Sequence, residues 1–382
     1  MFSLPLNRRR MLKATGLVLA TSRATQVYGQ SSTSVEIEEI KTTSFESEHY
    51  HGWPTVAKSA DGTIFLACSG GRRAHICPFG RVELMTSQDD GKTWTWPRVI
   101  YDGAIDDRDA GVCVTNRGTV LVSTFTSLAY LPSFEKLTPQ NSEFAAWKAV
   151  HQRLTDAQRQ QELGCWLMRS EDLGVTFGAP YRVPLNSPHG PVQLKDGRLM
   201  YPGKALWESP TTVGVCFSDD DGRSWSETLK LPVRAGDDPA NYHELHGVEA
   251  ANGDLIIQIR NHNAQNKQET LQCVSKDAGV TWSEPAAIGV WGLPSHLLRL
   301  GDGRLLMSYG YRRRPFGNHV RVSSDHGATW SEPLTVSSDG IGGDLGYPST
   351  VHLNGNRFLT VWYERLSGSP QAVLRQATWR LM

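Results

Sequence analysis

The chain has 382 residues, of which 39% are hydrophobic and 12 are tryptophan, so it is long enough to bury a large core. Its 39 basic and 39 acidic residues give a formal net charge of zero, which argues against nucleic acid or an anionic membrane surface as a partner. The 36 glycines and 20 prolines suit a fold made of many short strands and turns.

The first predicted element is an export signal at residues 1–29. Three consecutive arginines, Arg8, Arg9 and Arg10, precede a short apolar run from Ala14 to Ala20, a pattern similar to twin-arginine signals. That run is too short to span a bilayer. A disordered basic leader is the alternative interpretation. We therefore expect an exported protein, periplasmic or secreted, with residues 30–382 as its folded domain.

An eight-residue phrase, Ser-x-Asp-x-Gly-x-Thr/Ser-Trp/Phe, occurs five times along the chain. The copies span residues 87–94, 170–177, 218–225, 275–282 and 323–330. Asp and Gly at these positions suit a tight turn, because the carboxylate can bind nearby N–H groups and Gly adopts positive φ. Alternating or apolar runs precede the copies, so each phrase is predicted to be the hairpin between the last two strands of a four-stranded unit. Units of this size packed radially form a β-propeller.

Six repeated units can be placed between residues 50 and 380. Their predicted spans are 50–100, 106–184, 187–233, 241–289, 291–337 and 344–380. The segment 35–43 is expected to add a strand to the sixth unit and close the ring. In the second unit, residues 142–154 have a helical pattern and Thr155–Gln158 has the form of a capping box. The predicted fold is therefore all-β, a six-bladed β-propeller with a short helical insertion in blade two that either overhangs the central cavity or is decoration.

The six cysteines show no spacing typical of metal ligands, so no metal and no other cofactor is expected. Four of them lie in apolar runs and are predicted to be buried free thiols: Cys113, Cys165, Cys216 and Cys273. A disulfide between Cys68 and Cys77 is an open alternative for an exported protein.

The repeated phrase resembles the Asp-box of the sialidase (neuraminidase) superfamily, in which the boxes are peripheral and structural. The resemblance implies the fold, and the chemistry must be sought in other residues. Glu244 is followed by Arg260 after sixteen positions (260 minus 244), and this spacing is similar to that of a sialidase segment. The resemblance implies that Glu244 is the acid/base partner of a tyrosine nucleophile. It also implies that Arg260 is one of three arginines that bind the substrate carboxylate. The segment that opens with Gly346-Tyr347-Pro-Ser is similar to the one carrying that nucleophile.

These resemblances imply an exo-α-sialidase acting on a sialylated glycan, with Tyr347 as nucleophile and Glu244 as its base. A phenol has a pKa near 10 and needs such a base at neutral pH. Guanidinium groups suit a planar carboxylate, so Arg260 and either Arg312 or Arg313 are expected to face the substrate. The starts of the inner strands should line the central channel, which adds His189 and His246 as candidate substrate contacts.

Blade one departs from the family pattern. It opens with Gly52-Trp53-Pro54 where the family has an arginine, and its loop at residues 69–78 contains no aspartate to act as general acid. The expected replacements are Arg72 or Arg108 for the clamp and His75 for the acid, since an imidazole can donate a proton near neutral pH. Two further residues compete as the acid: Asp107 and Asp109.

Two other functions remain open from the sequence. The first is a hydrolase or lyase acting on another acidic sugar such as a uronate, for which four histidines are candidates: His189, His243, His246 and His296. The second is a sialidase-like carbohydrate-binding protein without turnover, which the altered blade-one loop favours.

Overall fold

The computed structural model describes residues 33–44 and 48–382, with one compact unit over Ser34–Met382. The predicted export signal at residues 1–29 lies outside the described residues. No helix in the described part of the chain is both long and apolar enough to cross a membrane. Apart from the helices of one insertion and a single 3-10 turn, the described residues form strands and turns.

Six four-stranded antiparallel sheets of the described residues form the blades of a propeller, which confirms the predicted fold. The first strand, β1 (Val35–Thr42), belongs to blade six. Blade one contains β2 (Tyr50–Lys58), β3 (Ile64–Arg72), β4 (Arg81–Ser87) and β5 (Arg98–Tyr101). Blade two contains β6 (Asp106–Val114), β7 (Val120–Ser127), β8 (Cys165–Ser170) and β9 (Tyr181–Val183). Blade three contains β10 (Val192–Gln193), β11 (Leu199–Ala205), β12 (Thr212–Ser218) and β13 (Leu229–Lys230).

The remaining blades follow the same order from the inner to the outer strand. Blade four contains β14 (Tyr242–Glu249), β15 (Leu255–Asn261), β16 (Glu269–Ser275) and β17 (Ala286–Trp291). Blade five contains β18 (Ser295–Arg299), β19 (Leu305–Tyr311), β20 (Phe316–Ser323) and β21 (Leu334–Gly340). Blade six contains β22 (Leu345–His352), β23 (Arg357–Arg365) and β24 (Ala372–Leu381), and β1 completes it by pairing antiparallel with β24. The predicted ring closure is confirmed.

Each repeated phrase is the hairpin between the third and fourth strands of its blade, as predicted. In blade four the Asp277 carboxylate accepts hydrogen bonds from Ser275 Oγ at 2.8 Å and from the backbone N–H of Thr281 at 2.8 Å. Gly279 has φ 95°, and a Cβ there would lie 2.4 Å from the Phe217 ring of blade three. The phrase therefore fixes a turn and lets adjacent blades approach closely.

The insertion in blade two carries three helices: α1 (Leu131–Phe134), α2 (Phe144–His151) and α3 (Asp156–Glu162). The capping box at Thr155 and Gln158 is present, whereas α1 was not predicted. Trp147 of α2 is buried against Cys77 and Phe79 of blade one, with the Phe79 and Trp147 ring centroids 6.4 Å apart. The insertion thus supports the blade-one loop.

The predicted buried thiols are confirmed for Cys113, Cys165, Cys216 and Cys273. Among the described residues, Cys77 is also a buried thiol outside any disulfide. The alternative of a Cys68–Cys77 bridge is therefore wrong for this structure.

Candidate active site

Four inner strands carry the same local distortion near their first residues. Trp53, Asp109, Glu244 and Tyr347 have φ values of 53°, 46°, 43° and 54°. In each strand the pairing register with the second strand shifts across this residue. A β-bulge re-aims a side chain, and a left-handed non-glycine residue costs on the order of 1–3 kcal/mol. The fold accepts this strain four times at one end of the central channel, and that end is therefore the candidate functional site.

Tyr347, Glu244 and Arg260 form a hydrogen-bonded cluster at this end. The Tyr347 hydroxyl donates to Glu244 Oε1, and Arg260 Nη1 donates to Glu244 Oε2. Arg260 Nη1 also lies 3.1 Å from the Tyr347 hydroxyl oxygen. Residues of β14 and β15 in blade four therefore meet a residue of β22 in blade six, across the central channel.

The pKa values of Glu244 and Tyr347 are shifted in opposite directions, which leaves an ionised carboxylate beside an un-ionised phenol. Burial acts to raise the pKa of Glu244, but the charge of Arg260 and the hydrogen bonds from Tyr347 and Arg260 lower it to about 2. Burial and the charge of Glu244 raise the pKa of Tyr347 well above its ordinary value. Glu244 is therefore ionised at neutral pH and is placed to accept the phenolic proton.

Asp109 and Arg108 reach the same region from β6. Burial raises the pKa of Asp109 to about 7 despite the opposing charge of Arg108, and the charge of Glu244 raises it further. The Arg108 guanidinium lies over the Trp53 ring, 4.8 Å from its centroid. Arg108 Nε is buried and has no hydrogen-bond partner among the described residues. Leaving a buried donor unpaired costs about 1–3 kcal/mol, so Arg108 favours an environment that supplies an acceptor.

Arg72 has a different environment from the one predicted. It is fully buried, and its guanidinium forms a two-point ion pair with Asp106, at 2.6 Å and 3.0 Å. A third bond joins Arg72 Nη2 to the His75 carbonyl oxygen at 3.2 Å. These contacts show Arg72 anchoring the blade-one loop, and its clamp role stays a prediction that they do not support.

Asp107 is not placed as the general acid either. It is fully buried, and its carboxylate accepts a 2.6 Å hydrogen bond from the backbone N–H of Gly103. Burial raises the pKa of Asp107 well above its ordinary value. Asp107 thus holds the turn that precedes β6.

His75 lies in the blade-one loop at the rim of the site. Its Nδ1 is 2.7 Å from the Tyr50 hydroxyl and 3.0 Å from Asp344 Oδ1, and the Tyr50 hydroxyl is 2.9 Å from the same Asp344 oxygen. The His75 ring packs edge-on against Trp53 at 5.0 Å, and Trp53 in turn contacts the Tyr347 ring at 6.4 Å. His75 is 44% exposed, so it can meet both solvent and a ligand.

Arg312 and Arg313, the two candidate arginines of blade five, have different environments. Arg312 Nε donates to the Leu345 carbonyl oxygen at 2.9 Å, and its guanidinium lies 5.7 Å from the Tyr347 ring centroid. Arg313 stacks on Trp291 at 3.6 Å. Arg312 therefore faces the cluster as predicted for one of the pair, and Arg313 does not.

His189 and His246 lie deeper in the channel than predicted. Together with His296 they line a cavity of about 440 Å³ reached from the opposite end of the inner strands. The ring centroids of His189 and Tyr347 are 6.5 Å apart, so His189 backs the tyrosine. Burial lowers the pKa of His189 and of His246 well below the ordinary value. Neutral buried rings behind Tyr347 form a floor under it, and the role of His189 and His246 as substrate contacts stays a prediction.

The sequence did not identify Tyr50 as a site residue, and it gave no role to Asp344. Each lies three positions before a bulged residue, Trp53 and Tyr347 respectively. The same offset places Asp106 before Asp109. A polar residue three positions before each bulged residue could therefore have indicated these site residues from the sequence.

Comparisons with known proteins agree with this architecture. Residues 136–359, which are 224 of the 382, match the profile of the BNR repeat-like domain family. A sialidase of Bacteroides fragilis (strain YCH46) is 25% identical over 216 residues, covering 53% of this chain and 37% of the relative. The chain thus corresponds to just over a third of that relative's length.

Solved structures extend the likeness to nearly the whole chain. A protein of unknown function from Dyadobacter fermentans DSM 18053 superposes with a TM-score of 0.74 at 24% identity, covering 91% of this chain and 99% of that one. The intramolecular trans-sialidase from Ruminococcus gnavus, solved with oseltamivir carboxylate, gives a TM-score of 0.63 at 13% identity, covering 90% and 96%. At these identities the likeness is one of fold. The chain belongs to the BNR repeat-like domain family and is a sialidase-like Asp-box protein.

Proposed function

We propose that this protein is an exo-α-sialidase, a glycoside hydrolase that releases terminal sialic acid from glycans. The observation that carries the proposal is the cluster of Tyr347, Glu244 and Arg260 at one end of the channel. Sialidase relatives and sialidase-like folds support the same class of activity. The exported location predicted from the arginine-rich leader suits a substrate outside the cell.

The first step uses a neutral nucleophile against an anionic substrate. Tyr347 Oη attacks the anomeric carbon while its proton passes to Glu244, and the bond from that carbon to the aglycone oxygen breaks. A phenol suits this role because a carboxylate nucleophile would be repelled by the carboxylate on the same carbon. Water then displaces the tyrosine, and Glu244 returns the proton to Tyr347.

The leaving oxygen needs a proton, and two residues offer one. We assign it to Asp109, because a pKa of about 7 keeps this carboxyl protonated over the acidic and near-neutral range. In the second step the same carboxylate takes the proton of the attacking water. His75, held by Tyr50 and Asp344 at the rim, is the alternative acid. An inverting route, with water activated by Glu244 or a histidine, is the other mechanistic alternative.

Three arginines are proposed to hold the substrate carboxylate: Arg108, Arg260 and Arg312. Arg312 and Arg260 both lie beside Tyr347. Arg108 supplies the buried Nε that has no partner among the described residues. In this arrangement Arg108 of blade two replaces the arginine that blade one lacks, because Trp53 occupies that place and supports the guanidinium with its ring.

A fluorogenic 4-methylumbelliferyl sialoside tests the proposal directly. We expect release of the fluorophore by the wild-type protein and its loss in Tyr347→Phe. Binding of sialic acid without release by the wild type would instead support a carbohydrate-binding protein. An unsaturated product absorbing in the near ultraviolet from a uronate polymer would support a lyase.

The identity of the acid is resolved by pH profiles of two variants. With Asp109 as acid, wild-type turnover falls as pH rises through about 7, and Asp109→Asn loses turnover while His75→Gln keeps the wild-type profile. Loss of the alkaline limb in His75→Gln alone would transfer the role to His75.

A further inference from the structure

The central channel has a second end, opposite the bulged starts of the inner strands. The cavity of about 440 Å³ lies at this end, and its walls come from the later parts of those strands. The apolar part of the wall includes Val56 of β2, Val112 of β6, Leu297 of β18 and Val351 of β22. Small-molecule sites enclose about 300–1,000 Å³ and are mostly apolar with a few polar groups. The cavity therefore has the size and the walls of a site for a small organic ligand.

His189 gives the cavity a buried acceptor that is left unpaired. The residue is 2% exposed, and its Nε2 has no hydrogen-bond partner among the described residues. Its Nδ1 lies 3.2 Å from Thr55 Oγ1, and that hydroxyl donates its one hydrogen to the Pro188 carbonyl oxygen at 3.0 Å. Nδ1 must therefore be the protonated nitrogen that donates to Thr55, and Nε2 is the acceptor. A ligand that donates a hydrogen bond to Nε2 would remove the cost of leaving this atom unpaired.

His246 and His296 supply donors beside this acceptor. His246 Nδ1 accepts a hydrogen bond from the Leu297 N–H at 2.9 Å, so the proton of its neutral ring is on Nε2. His296 Nδ1 accepts from the Thr350 N–H at 3.5 Å, which gives its ring the same tautomer. The two rings stack with centroids 4.5 Å apart, and they stand edge-on to His189 at 5.4 Å and 5.1 Å. One acceptor and two N–H donors are therefore grouped in this cavity, and a hydroxyl group can both donate and accept there.

The charges around the cavity favour an uncharged ligand. No carboxylate occurs among the described residues that line it, so a cation would have no counter-ion there. The lining includes one lysine, Lys58, whose ammonium donates to the Leu353 carbonyl oxygen at 2.8 Å and lies 4.0 Å from Asp90. Because that ammonium is already engaged and the three buried imidazoles are neutral, an anion would also be desolvated without a paired charge, which is costly.

We propose that this cavity is a second ligand site, which binds an uncharged phenol or cyclic alcohol. The ring of the ligand lies between the apolar walls, and its hydroxyl donates to His189 Nε2 and accepts from the Nε2–H of His246 or His296. The histidine floor separates this ligand from the axial cluster of Tyr347, Glu244 and Arg260. The inference does not rest on the proposed sialidase activity, because the ligand is bound at the other end of the channel and its binding is measured without turnover.

Titration calorimetry of the full chain tests the proposal with three probes that share one apolar body: 4-ethylphenol, ethylbenzene and 4-ethylbenzoate. We expect 4-ethylphenol to bind the wild-type protein at least tenfold more tightly than either of the other probes. Ethylbenzene leaves His189 Nε2 unpaired, and 4-ethylbenzoate brings a charge into a site that offers it no partner. This comparison needs no variant, so it decides the proposal even if a substitution in the cavity prevents folding.

A substitution at the acceptor tests the predicted contact. His189→Phe keeps a ring of similar size but removes Nε2, so it should bind 4-ethylphenol at least tenfold more weakly than the wild type. His151→Phe is the matched control, because His151 lies on α2 of the blade-two insertion and does not line the cavity. That control should bind the probe as the wild type does. Tyr347→Phe should also keep the wild-type affinity for 4-ethylphenol.

Four results would overturn the proposal. One is an absence of 4-ethylphenol binding to the wild-type protein. Another is equal affinity for 4-ethylphenol and ethylbenzene, which would make the cavity an apolar hollow without selectivity for a hydroxyl group. The third is tighter binding of 4-ethylbenzoate, which would make it an anion site. The fourth is loss of 4-ethylphenol binding in Tyr347→Phe, which would place the probe at the axial cluster. A protein that binds 4-ethylphenol but releases no fluorophore from a sialoside would refute the proposed function and leave this site standing.

Discussion

Replacing Asp109 by Asn should stabilise the folded protein at alkaline pH. The pKa of Asp109 is about 7 in the folded state against an ordinary value of 3.8, a rise of about three units caused first by burial. Each unit corresponds to about 1.4 kcal/mol, so the buried carboxylate costs about 4 kcal/mol once it is ionised. The folded state binds the proton more tightly than the unfolded state, and the wild type therefore loses stability as pH rises from about 4 to 7. Asparagine cannot ionise and avoids this loss.

Urea denaturation of the wild type and Asp109→Asn at about pH 5 and pH 8.5 measures the effect. At about pH 5 the folded wild type still holds the proton, and at pH 8.5 it does not, so the free energy of unfolding of the wild type should fall by about 3 kcal/mol relative to the variant between these conditions. A difference that stays within about 0.5 kcal/mol at both pH values would refute the buried, strained placement of this carboxyl. The variant's expected loss of turnover is independent of this outcome.

Three further predictions concern the axial cluster and the repeats. Tyr347→Phe and Glu244→Gln should each lower kcat by at least a hundredfold with the fold intact by circular dichroism, and wild-type rates in both would contradict the cluster's proposed role. Arg312→Ala should raise KM for a sialoside at least tenfold, whereas Arg313→Ala, which removes a stack on Trp291, should leave it within about twofold. Hydrogen bonds from the Thr281 side chain and N–H lower the pKa of Asp277 to about 2. The Asp277 carboxylate therefore stabilises the folded state above about pH 4, and this contribution is lost as the pH falls toward 2. An acid-unfolding midpoint for Asp277→Asn equal to that of the wild type would argue against this contribution.

The repeats made the fold predictable, while the insertion was only partly so. Five copies of one turn, each with an obligatory glycine and an aromatic residue, define where strands end, and alternation defines the strands between them. The helix α1 lacks this kind of signal. It is four residues long, has a proline as its second residue and takes its stability from packing rather than from a periodic pattern.

In the candidate site, residues that act through local motifs were predicted and residues that act through long-range contacts were not. Glu244, Arg260 and Tyr347 stand in recognisable segments, and they meet in space. The environment of Arg72 is set by its ion pair with Asp106, which lies on another blade, and no sequence spacing predicts that pair. The left-handed bulge that aims each site residue is also invisible in sequence, because tryptophan and tyrosine rarely adopt such a backbone conformation.

Pairing of β1 with β24 has a consequence for how the nascent chain matures. Val35 lies opposite Leu381, so the partners are 346 positions apart (381 minus 35) and the second emerges from the ribosome long after the first. Until then the sixth sheet lacks a strand, and an unsatisfied row of amides can recruit neighbouring chains. Chaperones should therefore be needed during synthesis mainly until β1 pairs with β24. A truncated product that ends before residue 372 should aggregate, even though its other five sheets are complete.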